Sequence, residues 1–214
     1  MAMFPVSLIV VAYLLGSVPF SYLIARIVTK DDIRTVGSGN VGATNVVRSA
    51  GKVPGFVALL LDIAKGFGSV MLARYLVQRP DWPWVYSGGT NPLEAGTFWV
   101  GLTALVAVLG HMFPVWLGFR GGKGVATATG AFFAVQPAAM GLALIVFIIV
   151  VAISRYISLG SMIAAGSLPV IIRFVTGGTL WEIVFTILIA FAVIVKHYSN
   201  IGRLARGEER RFPR

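Results

Sequence analysis

The sequence contains no cysteine, two histidines and few charged residues. The absence of cysteine excludes disulfide bonds, thiolate metal ligands and a cysteine acyl-enzyme. Charged residues make up only 12% of the 214 residues, whereas hydrophobic residues make up 57%, and the mean hydropathy is +0.86. This composition excludes soluble globular and disordered classes. It predicts a polytopic membrane protein with the lipid bilayer as its surroundings.

Acidic residues are also scarce, since 8 Asp and Glu stand against 18 Lys and Arg, a net charge of +10. Such an excess can indicate nucleic-acid binding, but here the cations are scattered between apolar runs rather than gathered on one soluble face. Membrane orientation explains them, so no nucleic-acid partner is predicted. The two histidines lie far apart, without chelating spacing, and the sequence therefore predicts neither a metal site nor a cofactor.

The hydrophobic runs predict an all-α integral membrane protein with a single domain, residues 1–214. The run 124–153 is too long for one crossing of a hydrocarbon core of about 30 Å, and Pro137 lies inside it. We interpret it as two short helices that meet near Pro137. The first run has no charged segment before it and is longer than a signal-peptide core, so we expect it to be retained. Seven transmembrane segments result, near 4–28, 53–78, 96–118, 124–135, 138–153, 157–174 and 180–196.

The distribution of Lys and Arg favours seven spans over six. With seven spans, fourteen cations lie on one side, against Arg74, Arg79 and Arg173 on the other. With six spans, the split becomes eight against nine. The positive-inside rule therefore predicts the N-terminus outside and the C-terminus in the cytoplasm. Several aromatic residues fall near the predicted outer boundary, as an interfacial belt requires: Trp82, Trp84, Tyr86, Phe98, Trp99 and Trp181.

Three polar clusters emerge together on the predicted cytoplasmic side, at residues 37–48, 118–124 and 197–209. Each contains cations or hydrogen-bond donors suited to an anion. Glycine-rich turns with cations are also common as tight connections between spans, and each cluster alone is equally compatible with that structural role. The coincidence of all three on one face predicts a single site for phosphate or carboxylate groups.

The first cluster combines three glycines with polar side chains. Gly37, Gly39 and Gly42 allow backbone N–H groups to converge on one point. Side-chain donors and a positive charge come from Ser38, Asn40, Thr44, Asn45 and Arg48. The glycine spacing also matches the Gly-x-Gly-x-x-Gly pattern of dinucleotide-binding folds. That pattern requires a preceding strand in a soluble βαβ unit, whereas here a membrane span precedes it. A dinucleotide-binding fold is therefore not supported.

The second cluster lies directly before a predicted helix, whose N-terminal N–H groups and dipole favour an anion. Its cations and glycines are Arg120, Lys123, Gly121, Gly122 and Gly124. The cluster is not a Walker A loop, because that pattern requires glycine where this chain has Leu117 and Ser or Thr at position 124. ATP binding is therefore not supported.

The third cluster supplies His197, Asn200 and Arg203 beyond the last span. For His197, which follows Lys196, the alternative to a catalytic role is an interfacial helix cap. The tail arginines are alternatively lipid or orientation anchors.

Three titratable residues fall within the predicted spans. Asp62 and Lys65 are three residues apart on the second span, and we predict a structural ion pair between them; the alternative is that they support the polar loop on the same side. His111, on the third span, is predicted to be packed and hydrogen-bonded rather than a ligand.

Together the motifs resemble those of one family. They read Gly-Ser-Gly-Asn-Val-Gly-Ala-Thr-Asn-Val-Val-Arg, then Gly-His-Met-Phe-Pro-Val-Trp-Leu-Gly-Phe-Arg-Gly-Gly-Lys-Gly-Val-Ala-Thr, then His-Tyr-Ser-Asn-Ile-Gly-Arg-Leu-Ala-Arg-Gly-Glu-Glu. In this order they resemble the bacterial acyl-phosphate:glycerol-3-phosphate acyltransferases, the PlsY family. The resemblance runs from Ser17 to Glu209 and includes Ser158, but it leaves Glu208 without a role.

The resemblance implies a fold of seven spans in the bacterial inner membrane, with the active site toward the cytoplasm. It also implies transfer of a fatty acyl group from acyl phosphate to the 1-hydroxyl of glycerol 3-phosphate, which gives lysophosphatidic acid and phosphate. The expected catalytic residues are Ser38, Arg48, Lys123, His197 and Asn200. The expected substrate-binding residues are Gly37, Gly39, Asn40, Thr44, Asn45, Arg120, Gly121, Gly122, Gly124, Ser158, Arg203 and Glu209.

The mechanism stays open at two points. Acyl phosphate is already activated, so direct transfer needs only positioning and charge neutralisation, whereas a Ser38 nucleophile would form an acyl-enzyme. The proton acceptor is either His197 or a phosphate oxygen of a substrate, and the lack of an obvious carboxylate partner for His197 favours the phosphate. The alternative function is a transporter of organic phosphates. The oligomeric state is left open, and a monomer is compatible with the sequence.

Overall fold

Helices are the regular secondary structure in the residues that the computed structural model describes, which are 3–79, 82 and 92–212. Helices satisfy the backbone N–H and C=O groups that a bilayer cannot. The α-helices in these ranges are α1 (Met3–Ser17), α2 (Phe20–Thr29), α3 (Ala43–Ala50), α4 (Lys52–Val77), α5 (Pro92–Met112), α6 (Val125–Val135), α7 (Pro137–Ser154), α8 (Ile157–Ile171), α9 (Leu180–Lys196) and α10 (Tyr198–Ala205).

Each predicted transmembrane segment coincides with a helix or with two consecutive helices. The first is broken at Pro19, between α1 and α2. The break expected inside 124–153 is present, since Gln136 leaves helical geometry and Pro137 opens α7. The last turn of the α8 segment widens into a π-helix, Ile172–Thr176.

The length of the helices supports fewer full crossings than the sequence predicts. Among the described residues, five helical segments are long and apolar enough to span a membrane, and a sixth passes if α9 is taken together with the bent α10. The shortfall is at α6, whose 11 residues extend only about 16 Å.

Two helices lie where the sequence analysis expected irregular chain. The second half of the 37–48 segment forms α3, and the tail beyond the last span forms α10. Both are short and amphipathic, so their polarity concealed them from a search for apolar runs.

Helices α4 and α6 approach closely because small residues face each other. A Cβ atom on Gly66 would collide with the carbonyl of Thr127, and one on Gly130 would collide with the carbonyl of Ile63. Small residues allow helix backbones to come this near in a membrane protein. The contact joins α6 to the buried core around Val70.

Side-chain contacts define two ends of the helical bundle. At one end, here called the polar end, Lys123 bonds to Asn200 and the backbone of Phe212 bonds to Arg155. At the opposite end, Gln136 Nε2 donates to Glu182 Oε1 at 3.1 Å. Since α6 begins just after Lys123 and ends just before Gln136, it runs between the two ends despite its shortness.

The predicted aromatic belt lies at the opposite end but is partly packed inside the protein. Trp82 and Trp99 stack edge to face at 6.0 Å, and both are buried. Phe98 links them to Trp181 at 4.9 Å. These rings therefore contribute to the core, while Trp84 and Tyr86 lie outside the described residues.

Candidate active site

A cavity of about 820 Å³ opens at the polar end and continues between α6, α7, α8 and α9. We call it the central cavity. All three sequence clusters contribute to its mouth. Its deeper wall is apolar and includes Phe132, Met140, Ala143, Leu144, Phe147, Ala164, Ala165, Leu168, Ile189, Ala190 and Val193. The cavity therefore joins a polar mouth to an apolar interior.

Asn45 shapes the glycine loop that forms one side of the mouth. Its side chain is 1% exposed, accepts from the Ser38 N–H at 3.0 Å, and donates to the carbonyls of Ile33 and Val36. Gly37 has a φ of +65°, and a Cβ there would strike the Asn45 amide. We therefore assign Asn45 a positioning role, because these backbone contacts occupy its amide.

The loop presents its other polar groups to the cavity. Ser38, Thr44 and Arg48 are exposed, Asn40 is half-buried, and all four line the central cavity. Helix α3 carries Thr44 and Arg48 one turn apart, which places both on the same face. The first cluster is thus a set of donors on a loop whose backbone Asn45 holds.

The glycine turn of the second cluster is arranged differently from the expectation. The N–H groups of Gly121 and Gly122 donate to the carbonyls of Met112 and His111 at 3.2 Å, so they are not turned toward an anion. Gly124, with a φ of +79°, precedes α6, whose N-terminus has no side-chain cap and lies at the cavity. The anion-binding donors of this cluster are therefore the first N–H groups of α6 and the Lys123 ammonium.

Arg120 does not join the central cavity. It is exposed and lines a neighbouring cavity of about 550 Å³ with Arg34 and Lys196. The turn at Gly121 and Gly122 separates Arg120 from Lys123, so the two cations point to different cavities. Spacing along the sequence does not reveal this separation.

Glu209 organises the third cluster. One carboxylate oxygen accepts from Asn200 Nδ2 at 2.6 Å and Ser158 Oγ at 2.8 Å, and the other accepts from Arg203 Nε at 2.7 Å. The Asn200 side-chain oxygen accepts in turn from Lys123. Glu209 therefore connects α8 and α10 and, through Asn200, fixes the position of the Lys123 ammonium. Glu208 forms a separate, exposed ion pair with Arg206.

His197 is held by the backbone rather than by a carboxylate. It is 3% exposed and lies between α9 and α10, with Nδ1 2.7 Å from the carbonyl oxygen of Val193. A carbonyl oxygen only accepts, so Nδ1 carries the proton and Nε2 is left with its lone pair. His197 thus has a fixed tautomer at the wall of the central cavity.

The mouth shifts the pKa values of its titratable groups. Burial, joined by the nearby charges of Arg203 and Arg48 and opposed by Glu209, lowers the pKa of Lys123 to about 8. Burial also lowers the pKa of His197 to about 4, so the imidazole is neutral near pH 7. Burial opposes the charge of Glu209, but hydrogen bonds from Asn200, Ser158 and Arg203 hold its pKa below its usual value.

The predicted ion pair between Asp62 and Lys65 is present, with 2.8 Å between Oδ1 and Nζ. Asp62 also accepts from Ser21 Oγ at 2.7 Å and lies 3.5 Å from His111 Nδ1. His111 is buried, and its carbonyl holds the N–H of Gly122. The cluster therefore packs behind the glycine turn and links α2 and α4 to α5.

Sequence reasoning missed Arg210, which lines the central cavity. It was interpreted with the other tail arginines as an anchor, because no pattern in the tail distinguishes one arginine from the next. Within the described residues, no three metal-ligating side chains gather at one place.

Comparison with known proteins gives one consistent result. A sequence model described as glycerol-3-phosphate acyltransferase matches residues 6–207. The glycerol-3-phosphate acyltransferase of Geobacter sulfurreducens is 46% identical over 202 residues, which covers 94% of each chain. The enzyme of the same name from Desulforamulus reducens is 42% identical and covers 95% of this chain and 93% of its own.

Two solved structures share the fold. Both are of PlsY (YgiH), an integral membrane glycerol 3-phosphate acyltransferase. The glycerol 3-phosphate form has a TM-score of 0.85 and 38% identity, and it covers 98% of this chain and 96% of that chain. The lysophosphatidic acid form has a TM-score of 0.82 and 37% identity, with 98% of this chain and 95% of that chain covered.

Proposed function

The chain belongs to the glycerol-3-phosphate acyltransferase family, and we propose that its acyl donor is an acyl phosphate. The fatty acyl group passes to the 1-hydroxyl of glycerol 3-phosphate, which gives lysophosphatidic acid and inorganic phosphate, the first acylation of phospholipid synthesis. The related structures in glycerol 3-phosphate and lysophosphatidic acid forms support this acceptor and this product.

The observation that carries the proposal is the continuity of the central cavity. Its mouth contains Arg48, Lys123 and the N-terminus of α6, while its interior is apolar. An acyl phosphate has the same division, with a charged phosphate at one end and a hydrocarbon chain at the other. The chain would extend into the bundle while the phosphate stays at the mouth.

Charge neutralisation is the main task of the mouth. Both substrates carry phosphate, and their mutual repulsion must be offset before the hydroxyl can approach the acyl carbon. The Arg48 guanidinium offers paired donors, and the Lys123 ammonium adds a point charge held by Asn200. Donors positioned before the reaction stabilise charge without a reorganisation cost.

His197 orients the hydroxyl, and a substrate phosphate accepts the proton of that hydroxyl. Nε2 of His197 accepts a hydrogen bond from the hydroxyl. With a pKa of about 4, however, His197 is a weak base at neutral pH. A phosphate oxygen therefore takes the proton as the hydroxyl oxygen bonds to the carbonyl carbon. The bond from that carbon to the phosphate oxygen breaks, and phosphate leaves without an acyl-enzyme.

The proposed orientation in the membrane rests on the distribution of Lys and Arg along the sequence. Helix α6 runs between the two ends of the bundle, so a count of seven crossings is compatible with its 11 residues if its N-terminus is recessed. The positive-inside rule then places the polar end, with the mouth, in the cytoplasm of a bacterial inner membrane.

A transporter fits the arrangement less well. Transport sites lie near the bilayer midplane between related halves, whereas the cations of the central cavity gather at the polar end. The buried Asp62 and Lys65 neutralise each other in the ion pair.

The test is an assay of purified protein in detergent. Given glycerol 3-phosphate and palmitoyl phosphate, the protein should release phosphate and lysophosphatidic acid in equal amounts. Palmitoyl coenzyme A offered in parallel should give no product. Product from the coenzyme A ester alone would overturn the proposed donor.

Direct transfer without an acyl-enzyme is tested by a separate measurement. With acyl phosphate and no acceptor, intact-mass spectrometry should show the unmodified chain. A mass increase of one acyl group, absent in Ser38→Ala, would establish Ser38 as a nucleophile instead.

A further inference from the structure

Residues 207–212, which follow α10, form a strap across the mouth of the central cavity. At one point Glu209 fastens it to Ser158 on α8 and to α10. At another, the Phe212 N–H donates to the Arg155 carbonyl at 2.7 Å, and Arg155 Nη2 donates to the Phe212 carbonyl at 3.0 Å. Arg210 and Arg211 are therefore held between two fixed points.

The two arginines have different surroundings. Arg210 lines the central cavity, and its Nη2 donates to the Gly37 carbonyl at 3.2 Å. Arg211 lies over the ring of Tyr156, 5.7 Å from its centroid, and Nε donates to the Tyr156 hydroxyl at 3.3 Å. Of the two, only Arg210 faces the cavity, so a substitution of Arg211 is a matched control for the same substitution of Arg210.

The charge of the mouth favours an anion beside Arg210. Arg203 is paired with Glu209, while Arg210 stands close enough to Arg48 that its charge, after burial, lowers the pKa of Arg48. Lys123 is a third cation at the same mouth. Like charges this near repel unless an anion binds between them. A guanidinium has five N–H donors, and the bond to Gly37 uses one.

We propose that Arg210 is a binding residue for the phosphate of glycerol 3-phosphate. The strap holds it near Arg48 at the same mouth, so that the two guanidinium groups bind one phosphate together. The acceptor is chosen over the donor because it enters from water, at the exposed edge where Arg210 lies, whereas the acyl chain of the donor occupies the apolar interior. The inference rests on the proposed function.

The experiment compares steady-state kinetics of the full-length wild type with those of Arg210→Ala and Arg211→Ala. Loss of a charge-assisted hydrogen bond should raise the KM for glycerol 3-phosphate about tenfold or more in Arg210→Ala. We expect kcat and the KM for acyl phosphate to stay within about twofold. Arg211→Ala removes the same charge from the strap and should leave the KM for glycerol 3-phosphate within about twofold of wild type.

Two further variants distinguish phosphate binding by Arg210 from a purely structural hydrogen bond between Arg210 and the Gly37 carbonyl. Arg210→Gln keeps a donor for the Gly37 carbonyl but has no charge, whereas Arg210→Lys keeps the charge. Recovery of a low KM by Lys and not by Gln supports the inference. Recovery by Gln would make Arg210 a structural tie and overturn it.

The remaining outcomes are also decisive. Equal KM increases in Arg210→Ala and Arg211→Ala would indicate a general effect of tail charge, including attraction to anionic lipid, and would contradict a specific ligand. A KM increase for acyl phosphate alone would do the same. An inactive wild type would refute the proposed function itself, which distinguishes that failure from failure of the role of Arg210.

Discussion

At Lys123, the burial that places the ammonium beside Asn200 also lowers the pKa of the ammonium group. The pKa falls to about 8, largely through desolvation, since a buried cation loses the hydration that favours its charged form. His197 is shifted in the same direction, to about 4, but that shift only ensures that it is neutral at physiological pH. Lys123 is therefore the group of the mouth whose titration is expected to limit activity.

We predict that kcat/KM decreases above about pH 8, approaching a tenfold loss per pH unit, as the free enzyme loses the Lys123 proton. A bound phosphate favours the ammonium, so the corresponding decrease in kcat should lie at higher pH. Initial rates measured across pH 6 to 10 test both limbs. In Lys123→Arg, whose charge persists over this range, the alkaline decrease should disappear. A wild-type kcat/KM that stays constant to pH 10 would contradict the assignment.

At the scale of the element, α6 serves two purposes through its two faces. Gly130 lets it approach α4, where a larger residue would strike the carbonyl of Ile63. On the other face, Ala128, Thr129 and Phe132 line the central cavity. Small residues in a membrane helix serve either close packing or free space, and here one short helix provides both.

The depth of the central cavity should set the length of the acyl chain. Ala143 lies on its wall, about 16 Å along α7 from Ser154 at the polar end. We predict that Ala143→Phe shortens the space, so that activity shifts from palmitoyl phosphate to decanoyl phosphate while the KM for glycerol 3-phosphate is unchanged.

Two matched variants support this measurement. Ala152 is exposed on the same helix, and Ala152→Phe should keep the wild-type preference. Overpacking a buried position costs about 1–3 kcal/mol of folding stability. If Ala143→Phe does not fold, Ala143→Leu replaces it in the same measurement. An unchanged ratio of the two donors in a folded Ala143 variant would show that the chain binds elsewhere.

At the scale of the whole molecule, the absence of cysteine makes the topology directly testable. Glu208 is exposed on the strap at the polar end, and Val175 is exposed where α8 approaches the opposite end. With a membrane-impermeant maleimide on intact cells, we predict that Val175→Cys is labelled and Glu208→Cys is labelled only after permeabilisation. The unaltered chain should give no signal. The reverse pattern would place the mouth outside.

The sequence by itself determined the class of the protein, its helices and the clusters that meet at the mouth. Runs of apolar residues must form helices in lipid, and Pro137 breaks one of them, because both effects are local to the chain. The ion pair of Asp62 with Lys65 followed from helical spacing in the same way. For these features, residues near in sequence determine what is near in space.

The tertiary structure decided how the groups of the mouth are used. Asn45 supports the loop, Gly121 bonds to the end of α5, and Arg120 points to another cavity. Arg210 reaches Gly37 across 173 positions of sequence. The sequence of a motif does not distinguish a donor that faces a substrate from a donor that bonds to a backbone carbonyl. Only packing between distant segments decides which of them remain available to bind a phosphate.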